Sequence, residues 1–243
     1  MNKHSSVFLL LVRQKLKWAL ICIAAIPVVS LSVYKLFFLN RGAETGSFQT
    51  GKEYLVFYIT FAVASFGVAF ACAGLLPGKS RRRYLLSRLQ ISERMVYFWD
   101  AVVCTLFFLL LWQTEVITLT AAGLMHDAAR PDSTVPLDFV FAIYLRQFYH
   151  SVFPLSSPAL LIRNVCYLLC TGAGCACIST YPGNSSSRGL GIVSLVVLAV
   201  FYTSGLTLEG IFFIALFTAL AVVLTLRHLN NGKARDDNEA MDC

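Results

Sequence analysis

Two apolar stretches of this sequence carry polar side chains whose types suit proton binding or ion pairing. Gln113 and Glu115 lie in a stretch of about residues 95–122, and Arg163 and Asn164 lie in another of about residues 158–178. A carboxylate enclosed by apolar residues is a candidate proton site, because its charged form is expensive to keep away from water. An enclosed arginine is a natural counter-ion for it. These four residues are therefore the candidate functional side chains of the two stretches.

Glu115 and Arg163 have matching depths in their stretches. Glu115 is roughly five residues from the outer end of its stretch, and Arg163 is roughly five residues from the outer start of the other. A rise of about 1.5 Å per residue places both about 7–8 Å below the outer surface. Opposite charges at one depth lower each other's cost of leaving water, so the sequence favours a structural ion pair. Two alternatives stay open: Glu209 is a competing partner for Arg163, and an unpaired Glu115 is a proton site.

One segment imitates a phosphate-binding loop. Residues 73–80, AGLLPGKS, fit a relaxed form of that motif, in which backbone N–H groups between a strand and a helix cradle phosphates. The preceding residues, about 54–76, form an apolar run that is too long for a core strand. The chain also has no room for the rest of a nucleotide-binding domain. The sequence thus predicts no ATP or metal cofactor in this chain and no enzymatic activity of its own.

The cysteines do not form a metal-binding pattern. Seven of the eight fall inside apolar runs, where a free thiol packs as a small hydrophobe. Cys175 and Cys177 are separated by one residue rather than two, and no histidine is near them. We therefore predict buried free thiols.

Composition indicates a membrane protein. The chain of 243 residues is 57% hydrophobic and only 14% charged, far from the average of soluble domains. Its formal net charge of +7 comes from basic residues beside apolar runs, where they act as topological signals. We therefore expect a lipid bilayer, and no nucleic acid, as the environment of this chain.

Six apolar stretches predict an all-α, polytopic fold with six transmembrane helices. Each is long enough, or nearly so, to cross a hydrocarbon core that needs about 20 residues. The stretches are about residues 18–39, 54–76, 95–122, 158–178, 189–204 and 208–226.

The flanking segments set the orientation. Residues 1–17 predict an amphipathic interfacial helix on the cytosolic surface, ahead of a transmembrane domain at 18–226, and residues 227–243 predict a polar cytosolic tail. Basic residues crowd the first segment, the 79–94 loop and the tail, so both termini are predicted to be cytoplasmic. The loop at 125–136 is acidic, which predicts that residues 125–157 form an external segment. An interfacial or re-entrant helix is predicted within it, at about 137–153.

The predicted cytosolic elbow at residues 77–95 combines basic residues with a helical apolar face. Leu85, Leu86 and Leu89 recur at helical spacing among arginines. Ser92 is then a candidate N-cap for a new helix, with Glu93 in its first turn. A loop that only fixes orientation needs the arginines but not the leucines, so the pattern favours a docking element for a soluble partner.

Residues 84–94, YLLSRLQISER, resemble the "YLLSLPISRRE" run of permease subunits in type-two ABC exporters, with Gln90 where that family has proline. In that family the run contacts the ATPase subunit between the second and third spans. The resemblance implies a bacterial plasma-membrane permease, working as a homodimer or with a similar chain, with ATP and Mg²⁺ on the partner ATPase. It implies docking through Arg83, Leu85, Leu86, Arg88, Leu89, Ser92 and Arg94.

The sequence leaves three functions open. The first is the membrane subunit of an ATP-driven exporter, for a peptide, a lipid-like molecule or a drug. The second is a membrane scaffold or accessory protein with no transport cycle. The third is a secondary transporter that uses Glu115 as its proton site.

Overall fold

The structure of the chain, a computed structural model, describes residues 3–39, 50–74, 92–129, 147–152 and 158–180. Seven single positions between 212 and 227 are described as well. Five α-helices occupy these ranges, and no strand occurs among them. They are α1 (Lys3–Tyr34), α2 (Thr50–Cys72), α3 (Glu93–Ala129), α4 (Gln147–Val152) and α5 (Pro158–Thr180), with a π-helical turn (Lys35–Leu39) continuing α1.

The all-helical class is confirmed for this part of the chain. Four helices are long and apolar enough to cross a membrane, namely those containing His4–Phe37, Leu55–Cys72, Arg94–His126 and Leu161–Thr180. They correspond to the first four predicted spans. The predicted spans at 189–204 and 208–226 lie outside the described residues, apart from single positions of the latter.

Cross-helix contacts define an up-and-down bundle in which α1 and α3 run parallel. His4 and Phe8 of α1 contact Trp99 near the start of α3, whereas Tyr34 contacts His126 near its end. The α2 helix runs antiparallel to α1, because Ser30 hydrogen bonds to Thr60 at one level. About two turns earlier in α1, Cys22 contacts Gly67, which is about two turns later in α2. The apolar core therefore lies between α1, α2 and α3, with α5 completing it.

The first helix differs from its predicted division at residue 17. Residues 3–34 form one unbroken helix, and the exposed Lys17 and Trp18 lie in its middle. Its buried residues Val7, Leu11 and Ala19 recur every four or eight positions on a single stripe, so one packing face runs through the expected boundary. At about 1.5 Å per residue, α1 is roughly 48 Å long, well beyond the ~30 Å hydrocarbon core. The surface position of its first turns stays a prediction.

The ends of α2 and α3 border the predicted elbow. Gly74 has a φ of 65°, the left-handed conformation that commonly ends a helix, and its N–H donates to the carbonyl of Ala71. The restart after Ser92 is confirmed: the N–H groups of Met95 and Val96 donate to its carbonyl, and α3 begins at Glu93. The docking residues Arg83, Leu85, Leu86, Arg88 and Leu89 lie outside the described residues.

The residues that precede the phosphate-loop-like segment at 73–80 form the α2 helix. A phosphate loop requires a strand at that place, so its structural context is missing.

On the other side of the bundle, α3 continues to Ala129, so the start of the predicted external segment is helical. Within 137–153, the described part is the short α4 helix. The Trp112 indole N–H of α3 donates to the carbonyl oxygen of Val152 at 3.0 Å, which ties α4 to the bundle.

Candidate functional site

A buried ion pair joins α1 to α3. Lys15 Nζ lies 2.6 Å from Asp100 Oδ1, and the two side chains are 2% and 0% exposed. Both residues lie on the inward faces of their helices, one turn after Leu11 and Val96 respectively. Each charge alone would be costly in an apolar bundle, and the contact offsets that cost. This pair fixes the relative height of the two parallel helices.

Three buried thiols surround the pair. The Lys15 amine also donates to Cys104 Sγ at 3.1 Å, and Cys72 is fully buried in the same core cluster as Cys104. Cys175 of α5 is fully buried, and its Sγ lies 4.0 Å from the carbonyl oxygen of Ala69 in α2. All four long helices thus meet at one polar point. We call Lys15, Asp100, Cys72, Cys104 and Cys175 the lysine–thiol cluster.

The cluster does not have the composition of a metal centre. Among the described residues, no group of three or more His, Cys, Asp and Glu side chains is arranged to hold a metal ion. The Lys15 ammonium occupies the position beside Cys104 and Asp100 where a cation would have to sit. The cluster is instead suited to holding helices together.

Glu115 is the second buried acid of α3. It is fully buried, and neither carboxylate oxygen has a hydrogen-bond partner in the described part of the chain. The predicted ion pair with Arg163 is therefore not formed. Arg163 and Asn164 are buried on α5 as the sequence indicates, whereas Gln113 points away from the core and is exposed. The helices that carry Glu115 and Arg163 do pack against each other, as the prediction requires. Depth along a helix, however, does not fix the direction in which each side chain points.

An apolar section of α3 separates Glu115 from the lysine–thiol cluster. At about 1.5 Å per residue, Glu115 is roughly 22 Å along the helix from Asp100. The inward positions between Cys104 and Glu115 are Phe107, Phe108 and Leu111, all at most 5% exposed. Beyond Glu115 the inward face carries the buried Thr118 and His126, and Tyr34 Oη lies 2.6 Å from Nδ1 of that histidine. The buried polar residues of α3 are thus divided by an apolar section.

Close helix contact holds α3 against α5. A Cβ built at Gly172 would lie 2.8 Å from the backbone nitrogen of Thr105 and 3.0 Å from its Cα. Only a residue without a side chain permits this approach, which is a common use of small residues between membrane helices. Nearer the start of α3, the Tyr97 hydroxyl lies 3.4 Å from Cys177 Sγ. The small-residue half of α5 is therefore the surface against which α3 packs.

The role of Lys15 differs from the prediction, because the local sequence places this residue in a membrane-surface helix. A usable signal was present: Lys15 falls on the same four-residue stripe as Val7, Leu11 and Ala19, all of which are buried. A lysine in register with a core stripe, together with Asp100 near the start of another long apolar run, marks a candidate intramembrane pair.

No family model, curated protein or solved structure matches the chain. The function is therefore inferred from the residues and geometry described above.

Proposed function

We propose that this chain is the membrane subunit of an ATP-driven exporter and couples to a separate ATPase through residues 81–94. The observation that carries the proposal is the position of residues 81–94 in the chain. They follow α2, which ends at Cys72, and lead into α3, which begins at Glu93. Because α3 is one continuous helix through Ala129, movement at its elbow end is carried along its whole length.

The lysine–thiol cluster extends that coupling to α1. Asp100 lies about two turns into α3 and holds Lys15 of α1 at 2.6 Å. An ATPase that displaces the elbow would thus shift α1 and α3 together against α2 and α5. In this proposal six spans, both cytoplasmic termini and a second permease copy complete the path in a bacterial plasma membrane, and ATP and Mg²⁺ bind to the partner.

The docking face is tested with Leu86→Asp and Leu89→Asp. Each places a charge on the apolar face of the elbow, so we expect loss of ATPase co-purification while membrane insertion stays intact. Ser87→Asp is the matched control, because it adds the same charge about 150° away from the centre of that face at 100° per residue. Retention of the ATPase by both leucine variants would contradict the proposal. Absence of any ATPase partner, with no transport, would favour a membrane scaffold.

A second function is favoured by Glu115 itself. An intramembrane carboxylate with no partner among the described residues is a functional group by default, and a proton is the simplest ligand for it. In this hypothesis the apolar section at Phe107, Phe108 and Leu111 separates Glu115 from the elbow side of the bundle. The chain would then be a proton-coupled secondary transporter.

Glu115→Gln separates the two functions. We expect this variant to fold with unchanged or higher stability, because it removes a buried carboxylate that has no compensating bond. Reconstituted vesicles would then be assayed for transport driven by an imposed proton gradient and for transport driven by ATP and the partner.

Loss of the gradient-driven flux alone supports the secondary transporter, and retention of ATP-driven flux supports the exporter. The control is Gln113→Glu in the Glu115→Gln background, which moves the carboxylate to the exposed face of the same helix turn. Strong destabilisation by Glu115→Gln, restored by a charge swap with Arg163, would instead reinstate the ion pair.

A further inference from the structure

Two basic residues of α1 lie on its exposed side, away from the buried Lys15. Arg13 and Lys17 are each two positions from Lys15, and at about 100° per residue both are roughly 160° around the helix from it. The burial pattern agrees with this rotation, because Lys15 is buried whereas Arg13 and Lys17 are exposed. The two exposed residues are one helical turn apart and are therefore neighbours on the helix surface.

No carboxylate of α1 neutralises these two cations. The helix contains no acidic residue, and Asp100 of α3 is bound to Lys15. Across the ranges that the structure describes, no ion pair involves Arg13 or Lys17. Two like charges one turn apart on a helix repel each other, so an anion bound between them removes an unfavourable arrangement.

The two cations lie at the boundary between the charged and the uncharged part of α1. Residues 18–34 contain no charged side chain, and at about 1.5 Å per residue they extend about 25 Å, close to the ~30 Å hydrocarbon core. Trp18 begins this section, and tryptophan is enriched at the membrane–water interface. The Lys17 Nζ lies 5.8 Å from the centroid of the Trp18 ring, within the range of a cation–π contact. This position places Arg13 and Lys17 within reach of lipid headgroups.

An exposed apolar track begins beside the two cations and runs into the charge-free section. Its residues recur every four positions, and all of them are exposed: Leu16, Leu20, Ala24 and Val28. The track is about 18 Å long at about 1.5 Å per residue. The acyl chains of one leaflet fill half of the hydrocarbon core, or about 15 Å. A phosphate bound by the two cations therefore leaves the acyl chains of the same molecule beside this track.

We infer that Arg13, Lys17 and the apolar track of α1 bind one anionic phospholipid. The guanidinium and ammonium groups bind the phosphate, and an acyl chain packs along the track. A zwitterionic phospholipid carries the same phosphate, but the positive charge of its own headgroup offsets the attraction. The lipid lies on the side of α1 opposite Asp100, so the helix is held from both sides at one level. The site needs only insertion of α1 in a bilayer and does not depend on the proposed ATPase partner.

The test measures tryptophan quenching of the full chain in phosphatidylcholine vesicles. A small fraction of the lipid carries bromine in its acyl chains, and bromine quenches tryptophan fluorescence at short range. At equal mole fraction, we expect brominated phosphatidylglycerol to quench several-fold more than brominated phosphatidylcholine. Trp18→Phe removes the tryptophan beside the site and should abolish most of this difference, which assigns the bound lipid to α1.

Neutralising the cations should remove the preference for the anionic lipid. We expect Lys17→Gln to lower it about fivefold, the usual effect of one basic residue near an anionic membrane surface, and Arg13→Gln with Lys17→Gln to abolish it. Lys35→Gln is the matched control, because Lys35 is also exposed but lies at the other end of the charge-free section. All these substitutions are at exposed positions, so thermal unfolding should show intact folding.

Equal quenching of the wild-type chain by the two brominated lipids overturns the inference, as does a double variant that keeps the preference. Inorganic phosphate at millimolar concentration, added at constant ionic strength, distinguishes a lipid site from a simple anion site. We expect it to leave the preference for brominated phosphatidylglycerol unchanged, because free phosphate cannot use the apolar track. Loss of the preference in its presence would assign the two cations to soluble phosphate and exclude a phospholipid site.

Discussion

Lys15→Met is expected to lower the free energy of unfolding by about 3–5 kcal/mol, because it leaves the Asp100 carboxylate buried without a counter-ion. The same loss is expected for Asp100→Leu, which leaves the Lys15 ammonium buried without a counter-ion. The double variant removes both charges, and replacing a buried pair with apolar residues of similar volume is often neutral. We therefore expect the double variant to recover most of the stability lost by either single one.

Denaturant unfolding in mixed micelles, followed by tryptophan fluorescence, measures these differences, since Trp99 contacts Phe8 across the α1–α3 interface. The matched control is Lys17→Met, an exposed lysine two residues along the same helix, whose effect should stay within about 0.5 kcal/mol. Equal effects of the two lysine variants would mean that the ion pair does not hold α1 against α3.

The second large effect is expected at Gly172. The Cβ of Gly172→Ala would meet backbone atoms of Thr105 at 2.8 and 3.0 Å, and backbone cannot rotate away. We expect a loss of about 1–3 kcal/mol, the usual cost of overpacking, with a larger loss for Gly172→Leu. Thermal unfolding in detergent gives the order of the two variants.

Gly67→Ala is the comparison for this prediction. Its new Cβ would lie 2.6 Å from Cys22 Sγ, which is the end of a rotatable side chain. Because that sulfur can move, the cost should be clearly smaller than at Gly172. If both alanine variants unfold at the same temperature, the α3–α5 approach is not the tight contact described here.

The helices themselves were predictable, because apolar length and capping residues are local properties of the sequence. Ser92 marked the start of α3 correctly, and the first four apolar runs correspond to helices long enough to span a membrane. Six spans, the docking residues and the transport function stay predictions. The fold class thus follows from composition and periodicity alone.

Pairing between helices was harder to predict, since it depends on rotation about each helix axis. Matching depth predicts a pair of Glu115 and Arg163, and the structure leaves the glutamate without that partner. The neighbouring basic residues predict a surface position for Lys15, whereas its register with Leu11 places it in the core. Helical register along a stripe was the informative quantity, and depth and local composition were not sufficient.

The Lys15–Asp100 pair also sets an order of assembly. Lys15 is synthesised and delivered to the bilayer with α1, long before Asp100 emerges with α3. Until then its ammonium must remain in water, which a long lysine side chain achieves by extending toward the lipid headgroups. Membrane helices insert first and associate afterwards, so α1 can take its final depth only once α3 has arrived to neutralise it. We therefore expect the first helix to stay near the membrane surface until the third helix has been inserted.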